Sequence, residues 1–344
     1  MNWSEILSTL VAGTDLSAEQ AGDALREILA GEASEAQIAA FLVALRMKGE
    51  SIIEVSAMVD VMIESAAPIA LPAGTEAIDI VGTGGSPSRR AHALNVSTMA
   101  SFVAAGAGAR VVKHGNRRAS STSGSFDLLE ALGVPLELDG PAVARCVEEV
   151  GIGFCFARSF HPAMRHAGPV RAQLGVPTVF NFLGPLSHPA GVQRQVIGVS
   201  DRHVSSIVVG VLQQRGAPRA IVVTGDDGMD EFTTTTTSTV HLLRDGLVTS
   251  STFDPRDVGI ELASVDAIAG GSPEHNATIA RRVLAGDRGA HRDIVVLNAA
   301  AGLLVGGVVD EIGDGVIRAQ ESIDTGAAAG VLERLISVAN DAMR

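Results

Sequence analysis

Residues 113–133 read KHGNRRASSTSGSFDLLEALG, and three kinds of segment meet in this one run. Val111 and Val112 just before it end a strand, and Lys113, His114, Asn116, Arg117 and Arg118 crowd around a turn-permitting Gly115. Hydroxyls follow at Ser120, Ser121, Thr122 and Ser123; Leu128, Leu129 and Leu132 then form a helical apolar stripe stopped by Gly133. A strand, a cationic and hydroxyl-rich loop and a helix N-terminus, in that order, let backbone N–H groups and the helix dipole hold a phosphate or carboxylate. The run therefore reads as an anion-binding loop inside an α/β fold. A solvated polar loop carries the same residue types, so the neighbouring segments have to decide.

Working outward, the N-terminal 70 residues are helical. Ser17 to Gln20, Ser34 to Gln37 and Ser51 to Glu54 each fit the capping box, in which a hydroxyl and an amide or carboxylate satisfy the first free N–H groups of a helix. Leu25, Ile28 and Leu29, then Ile38, Phe41, Leu42 and Leu45, then Val55, Met58, Val59, Met62 and Ile63 supply apolar faces for core or subunit contact. Gly31 and Gly49 stop the first two of these helices. Pro68, Pro72 and Gly74 mark a linker, after which the pattern changes.

Ile78 to Val81 is a short strand running into Gly82, Thr83, Gly84 and Gly85, and a glycine turn after a strand lets backbone approach a phosphate closely. Asn95 to Thr98 opens an apolar helix, with Asn95 or Ser97 as its cap and Ser97 also suited to act as an oxygen ligand. Beyond the central run, residues 151–156 form a buried strand, and 161–174 (HPAMRHAGPVRAQL) are helical in pieces broken by Pro169. Residues 176–186 read as an irregular turn. Strand 196–199, helix 201–215 and strand 220–223 then alternate, the signature of a largely parallel sheet.

The last of these strands ends in TGDDGMDE, residues 224–231, at the carboxyl edge where ligands of open α/β sheets gather. Carboxylates around a glycine turn suit Mg²⁺, which takes one or two protein acids plus substrate oxygens and water. The threonine run 233–239 reads as strand because β-branched residues favour sheets. Residues 250–272 form a loop-rich return, Pro273 begins a helix, 293–304 is a buried helix, and the tail is helical.

Totals narrow the functional classes. The 344 residues suffice for a large core, 46% are hydrophobic and 19% charged, and no apolar run approaches a membrane span. No signal peptide is evident, so a cytoplasmic location is expected. Cys146 and Cys155 lack partners at metal spacing and read as reduced, buried thiols. A formal charge of −13 disfavours nucleic acid as a partner. Against that background the cations Lys113, Arg117, Arg118, Arg165 and Arg171 fall in two short stretches, a trap for a small anion.

Five segments together resemble one family. GTGG at 82–85, NVST at 95–98, the KHGNRR run from Lys113, NFLGP at 181–185 and GDDGMDEFT at 225–233 are similar, in order and over nearly the whole length, to anthranilate phosphoribosyltransferases. The resemblance implies an α/β fold of the nucleoside phosphorylase and phosphoribosyltransferase type. A helical domain over 1–72, joined by a helical segment near 160–187, would face an α/β domain over 73–344 that binds phosphoribosyl pyrophosphate, usually in a homodimer. It implies transfer of phosphoribose to the amine of anthranilate, with Mg²⁺, in tryptophan biosynthesis. The donor would contact Gly82, Thr83, Gly84, Gly85, Asn95, Ser97, Thr98, Lys113 and Ser121. Anthranilate would meet Gly82, His114, Asn116 and Arg171, and the metal Ser97, Asp230 and Glu231.

One stretch departs from the family pattern. Where an aspartate and a short threonine-bearing run are usual after the glycines, this chain has SPSRRAHAL at 86–94, which is expected to alter donor affinity or admit another aromatic amine. His161, Met164 and His166 are candidates for tuning the acceptor or for packing. A pyrimidine nucleoside phosphorylase would carry a different phosphate loop, and a Rossmann dehydrogenase needs the final glycine that GTGGSP lacks.

Overall fold

A computed structural model describes residues 1–84, 93–118 and 122–343. Four helices open the chain: α1 (Trp3–Val11), α2 (Ala18–Ala30), α3 (Glu35–Lys48) and α4 (Ile52–Glu64). All three expected capping boxes form, at Ser17, Ser34 and Ser51, and Gly31 ends α2 in the left-handed conformation. The expected apolar faces are buried with one exception, Ile63, which faces outward on α4.

The remainder alternates strand and helix. In order come β1 (Ala77–Gly82), α5 (Val96–Gly106), β2 (Arg110–Gly115), α6 (Ser125–Leu132), α7 (Gly140–Val150) and β3 (Ile152–Phe156). Three short helices follow, α8 (Ala157–Phe160), α9 (Gly168–Leu174) and α10 (Phe180–Leu186), then β4 (Arg194–Gly198), α11 (Arg202–Gln214) and β5 (Arg219–Gly225). The chain closes with β6 (Ser238–Arg244), β7 (Leu247–Phe253), α12 (Pro273–Leu284), α13 (Ala290–Gly306), α14 (Ile312–Asp324) and α15 (Ala327–Ala342). Seven strands make one sheet in the order β3-β2-β1-β4-β5-β6-β7, parallel through β5 and antiparallel beyond.

Side chains alternate across this sheet with period two. Ile78, Ile80, Val196, Ile221 and Val223 face a core shared with α5, α7, α13 and α15. Val81, Ile197, Ala220 and Val222 face a second core that contains the N-terminal bundle together with α9, α10 and α11. The bundle is thus packed, through one apolar cluster, on one face of the sheet. The protein is a helical N-terminal unit against a larger α/β unit.

Three expectations fail here for identifiable reasons. The threonines 233–237 form a loop, and β6 starts only at Ser238, because the hydroxyls of Thr233 and Thr235 bind Asp227 and that of Thr237 binds Asp226. The expected turn at 176–186 contains α10, with Gly184 and Pro185 inside it. Pro169 sits in the first turn of α9, where its missing N–H costs nothing, so it starts that helix rather than breaking one.

Candidate active site

Sheet topology fixes where a site can form. From β1 the chain moves outward to β2 and β3, then returns to the other side of β1 at β4, so the strand order reverses between β1 and β4. Crevices open at the carboxyl ends of strands at such a reversal. Here those ends are the paired residues Gly82 and Gly198. The acidic loop after β5 lies across both: a Cβ on Gly198 would fall far inside 3.0 Å of the Asp230 carbonyl oxygen, and one on Gly82 would reach 3.1 Å from Asp230 Cγ. At Gly198 another backbone occupies the space a side chain would need, and at Gly82 the Asp230 carboxylate does.

The loop is held from behind. Asp227 accepts from the hydroxyls of Thr233 (2.7 Å) and Thr235 (2.6 Å) and from Met229 N–H. Asn298 of α13, 2% exposed, grips Phe232 at both its N–H (3.1 Å) and its carbonyl (2.9 Å). So braced, Asp230 Oδ2 accepts the Gly84 N–H at 2.7 Å, and Glu231 Oε1 accepts the Ser97 N–H at 3.3 Å. Glu231 therefore serves the N-terminus of α5. Asn95 takes the expected cap position, but its side chain makes no cap bond, and the first-turn N–H of Ser97 is served by Glu231 instead.

Lys113 on β2 is 2% exposed, and its Nζ donates to Ile80 O at 2.6 Å. Burial lowers its pKa, while the carboxylates of Asp79, Glu231 and Asp230 act to raise it. The Lys113 ammonium is thus held at the cleft between a main-chain carbonyl and nearby carboxylates. Asp79, wholly buried on β1, is pushed up to about 7 by burial, against the pull of Lys113 and of the His114 N–H at 3.3 Å. Around it cluster His114, His161 and His188, with the ring centroids of the last two 5.2 Å and 5.9 Å from that of His114. Burial lowers His161 and His188 to about 4 and His114 well below its usual value, so all three are neutral at pH 7.

The cationic loop is more self-satisfied than its sequence implies. Arg117 pairs with Asp127 (3.1 Å) and Glu130 (2.7 Å). Asp127 also accepts the N–H groups of Arg118 (2.8 Å) and Gly124 (2.9 Å). The N–H groups of Arg118 and Gly124, just before α6, are thus served by an internal carboxylate, while Ser123, Gly124 and Ser125 line the cleft. Arg171 of α9 differs. It lies over the Phe180 ring at 5.3 Å, burial lowers its pKa, and among the described residues no carboxylate pairs with it.

These groups share one cleft of about 880 Å³. Its walls include Met62 of the bundle, Gly82, Thr83, Gly84, Asn95, Ser97, Thr98, Lys113, His114, Asn116, Arg171, Asp230 and Glu231. Both cationic stretches line it, through Lys113, Arg117 and Arg118 on one side and Arg165 and Arg171 on the other. Arg158 and His161 line it as well. Gly85, Ser121 and the unusual stretch 86–92 lie outside the described residues.

Sequence reading overlooked Asp79 and His188. A lone acid in the apolar strand AIDIVG was the available signal, since buried acids are rare without a purpose. His188 offered none.

A helical bundle and an α/β sheet that close on a cleft with a glycine turn, an acidic turn and a buried lysine define the class. Residues 4–66 match the helical bundle domain of a glycosyl transferase family and residues 74–329 match its a/b domain. Anthranilate phosphoribosyltransferase from a Nocardioides species is 53% identical over 343 residues, covering 97% of this chain and 98% of that one. The crystal structure of anthranilate phosphoribosyltransferase from Thermus thermophilus superposes with TM-score 0.91 at 42% identity, covering 97% of this chain and 99% of that one. The Saccharomyces cerevisiae enzyme in complex with PRPP and Mg superposes at 0.89 with 27% identity, covering 98% of each chain. The chain belongs to the anthranilate phosphoribosyltransferase family.

Proposed function

We propose that this chain transfers phosphoribose from phosphoribosyl pyrophosphate to the amine of anthranilate, releasing pyrophosphate, as a step of tryptophan biosynthesis. The observation that carries the reading is the meeting, in one cleft at the sheet's reversal point, of an acidic turn (Asp230, Glu231), a buried ammonium (Lys113) and an arginine without a carboxylate partner among the described residues (Arg171). Departure of pyrophosphate leaves a cationic sugar centre and a highly charged leaving group, so the protein must balance charge and place the nucleophile.

Lys113 and the turn residues Thr83 and Gly84 border the leaving-group end, with Asn95, Ser97 and Thr98 at the start of α5 beside them. Gly85 and Ser121 belong to the same proposed donor set. Arg171 would take the anthranilate carboxylate through two parallel N–H donors, with Gly82, His114 and Asn116 along the ring. An aromatic amine is nucleophilic when unprotonated, so the neutral histidines need only exclude water and keep the amine unprotonated.

Asp230, Glu231 and Ser97 Oγ form an all-oxygen donor set suited to Mg²⁺, which when bound would offset charge on the pyrophosphate. Among the described residues no three His, Cys, Asp or Glu gather as a protein-only metal cage. That fits an ion that draws most of its ligands from substrate and water.

A homodimer in the cytoplasm completes the proposal. Val43 and Met47, one turn apart on α3, are exposed, Met47 by 83%, as is Val11 on the adjacent α1 (79%). Such a patch marks a contact surface. Cys146 and Cys155 are free and buried, as a reducing compartment allows, and among the described residues no helix is long and apolar enough to cross a membrane.

The test is formation of phosphoribosyl anthranilate with and without Mg²⁺ in wild type, Arg171→Ala and Asp230→Asn. Arg171→Ala should raise the KM for anthranilate roughly ten- to hundredfold, the scale of a lost charge-assisted bond. Activity indifferent to both substitutions would undo the assignment of the cleft.

A further inference from the structure

Asn276, in the first turn of α12, is fully buried and lines no part of the cleft, yet three segments hang on its amide. Its Nδ2 donates to Ala93 O and to Asn95 Oδ1, each at 2.8 Å, and its Oδ1 accepts the Gly271 N–H at 2.8 Å. Two of these partners are main-chain groups of fixed polarity, so the orientation of the amide is determined by them. Asn95 passes the connection on. Its Nδ2 donates to Ser123 O at 3.2 Å, and Ser123 Oγ donates back to Asn95 Oδ1 at 2.9 Å.

The result is a buried line of polar contacts from α12, through the residue that begins α5, to the loop that precedes α6. Ala93, Asn95 and Ser123 all line the cleft. The approach is close on the far side too: a Cβ on Gly270 would fall inside 3.0 Å of Ala93 O, so this backbone crossing tolerates only glycine. Of the natural side chains only a carboxamide supplies two N–H donors and one acceptor from a single rigid plane. Aspartate would turn a carboxylate towards two acceptors.

We infer that Asn276 is a positioning residue for the phosphoribosyl donor, setting Asn95 and Ser123 relative to each other without touching substrate. This rests on the proposed donor side of the cleft. It predicts a split. Displacing a group that orients substrate by about 1 Å can cost up to about a hundredfold, and that cost should fall mainly on the donor, because Arg171, the proposed acceptor anchor, belongs to α9, whereas Asn95 and Ser123 belong to the start of α5 and the loop before α6.

The experiment measures KM and kcat for both substrates, with thermal unfolding, in wild type, Asn276→Ser, Ser123→Ala and the double variant. Asn276→Ser should raise the KM for phosphoribosyl pyrophosphate roughly ten- to hundredfold and leave that for anthranilate near the wild-type value. The two substitutions should be non-additive, since both act through Asn95. If Asn276→Ser does not fold, Ser123→Ala, which removes the hydroxyl bond to Asn95 Oδ1 and keeps the Asn95 Nδ2 bond to the main-chain carbonyl, decides by the same split. A folded variant with an unchanged donor KM, or an equal rise for both substrates, overturns the inference. A wild type that forms no phosphoribosyl anthranilate overturns instead the proposed function.

Discussion

Gly198→Ala adds one methyl group at the carboxyl end of β4, and nothing on the surface changes. The methyl would lie well inside 3.0 Å of the Asp230 carbonyl oxygen and carbon and 3.1 Å from Glu231 N. Real Cβ atoms do not approach backbone that closely, so the acidic loop has to lift by something on the order of 1 Å. It cannot lift freely, because Asp227 and Asn298 hold it from behind. Overpacking of this kind costs about 3 kcal/mol. For 344 residues, at about 2 cal/mol/K of unfolding entropy per residue, that is roughly 4 °C in Tm. Movement of Asp230 and Glu231 should lower kcat/KM by about a hundredfold, which loss of anthranilate fluorescence on conversion would follow. Gly82→Ala separates the two effects. Its methyl meets chiefly the Asp230 carboxylate, the end of a side chain, so activity should fall with little loss of stability. A Gly198→Ala protein with wild-type Tm and kcat/KM would refute the placement of the loop across the paired strand ends.

Acid should destabilise the fold. Burial depresses His161 and His188 from 6.5 to about 4, so the native state binds fewer protons than the unfolded chain between those values. Their stabilisation is complete above pH 6.5 and is lost as pH falls through about 4, at about 3 kcal/mol each. Asp79 has the opposite sign, since its pKa is raised from 3.8 to about 7 and its contribution is lost as pH rises through that window. Urea midpoints at pH 7.5 and 5 should therefore fall on acidification, and fall more steeply in Asp79→Asn; a midpoint that rose would contradict the buried, neutral histidines. Asp230→Asn should weaken Mn²⁺ binding, read by the paramagnetic signal of the free ion with no turnover involved, and unchanged affinity would remove Asp230 from the donor set. Met47→Asp should shift the protein to a monomer by light scattering; a mass equal to that of wild type would move the interface elsewhere.

Local signals in the sequence were legible where the physics is local. A serine three residues before a glutamine or glutamate needs no tertiary partner to start a helix, and Ser17, Ser34 and Ser51 each did so. Strands that alternate between two apolar cores, such as Ala220 to Val223, were likewise evident from composition. The threonine loop was not, because its β-branched residues favour sheet until Asp226 and Asp227 claim their hydroxyls. The candidate site followed the same division. Its glycine, lysine and acidic segments stand out as motifs, whereas Asn276 and Asn298 act on partners 181 and 66 residues away through single amides. No spacing rule reaches that far. The family resemblance supplied the roles of residues, and the reversal of strand order supplied the reason they converge.

The arginines of the cleft show why a motif alone misassigns charge. Arg117 and Arg171 both line it, and by sequence Arg117, within KHGNRR, is the more conspicuous. Yet Arg117 is paired with two carboxylates, and Asp127 additionally fastens the loop around it, so its charge is already matched. Arg171 is the half-buried one, packed on an aromatic face, its pKa drawn down by lost hydration, with no carboxylate partner among the described residues. A guanidinium held out of water gains most from a ligand that supplies the missing carboxylate. An arginine satisfied by two acids would have to give them up first. Charge balance thus favours Arg171 over Arg117 as the proposed partner of the acceptor's carboxylate.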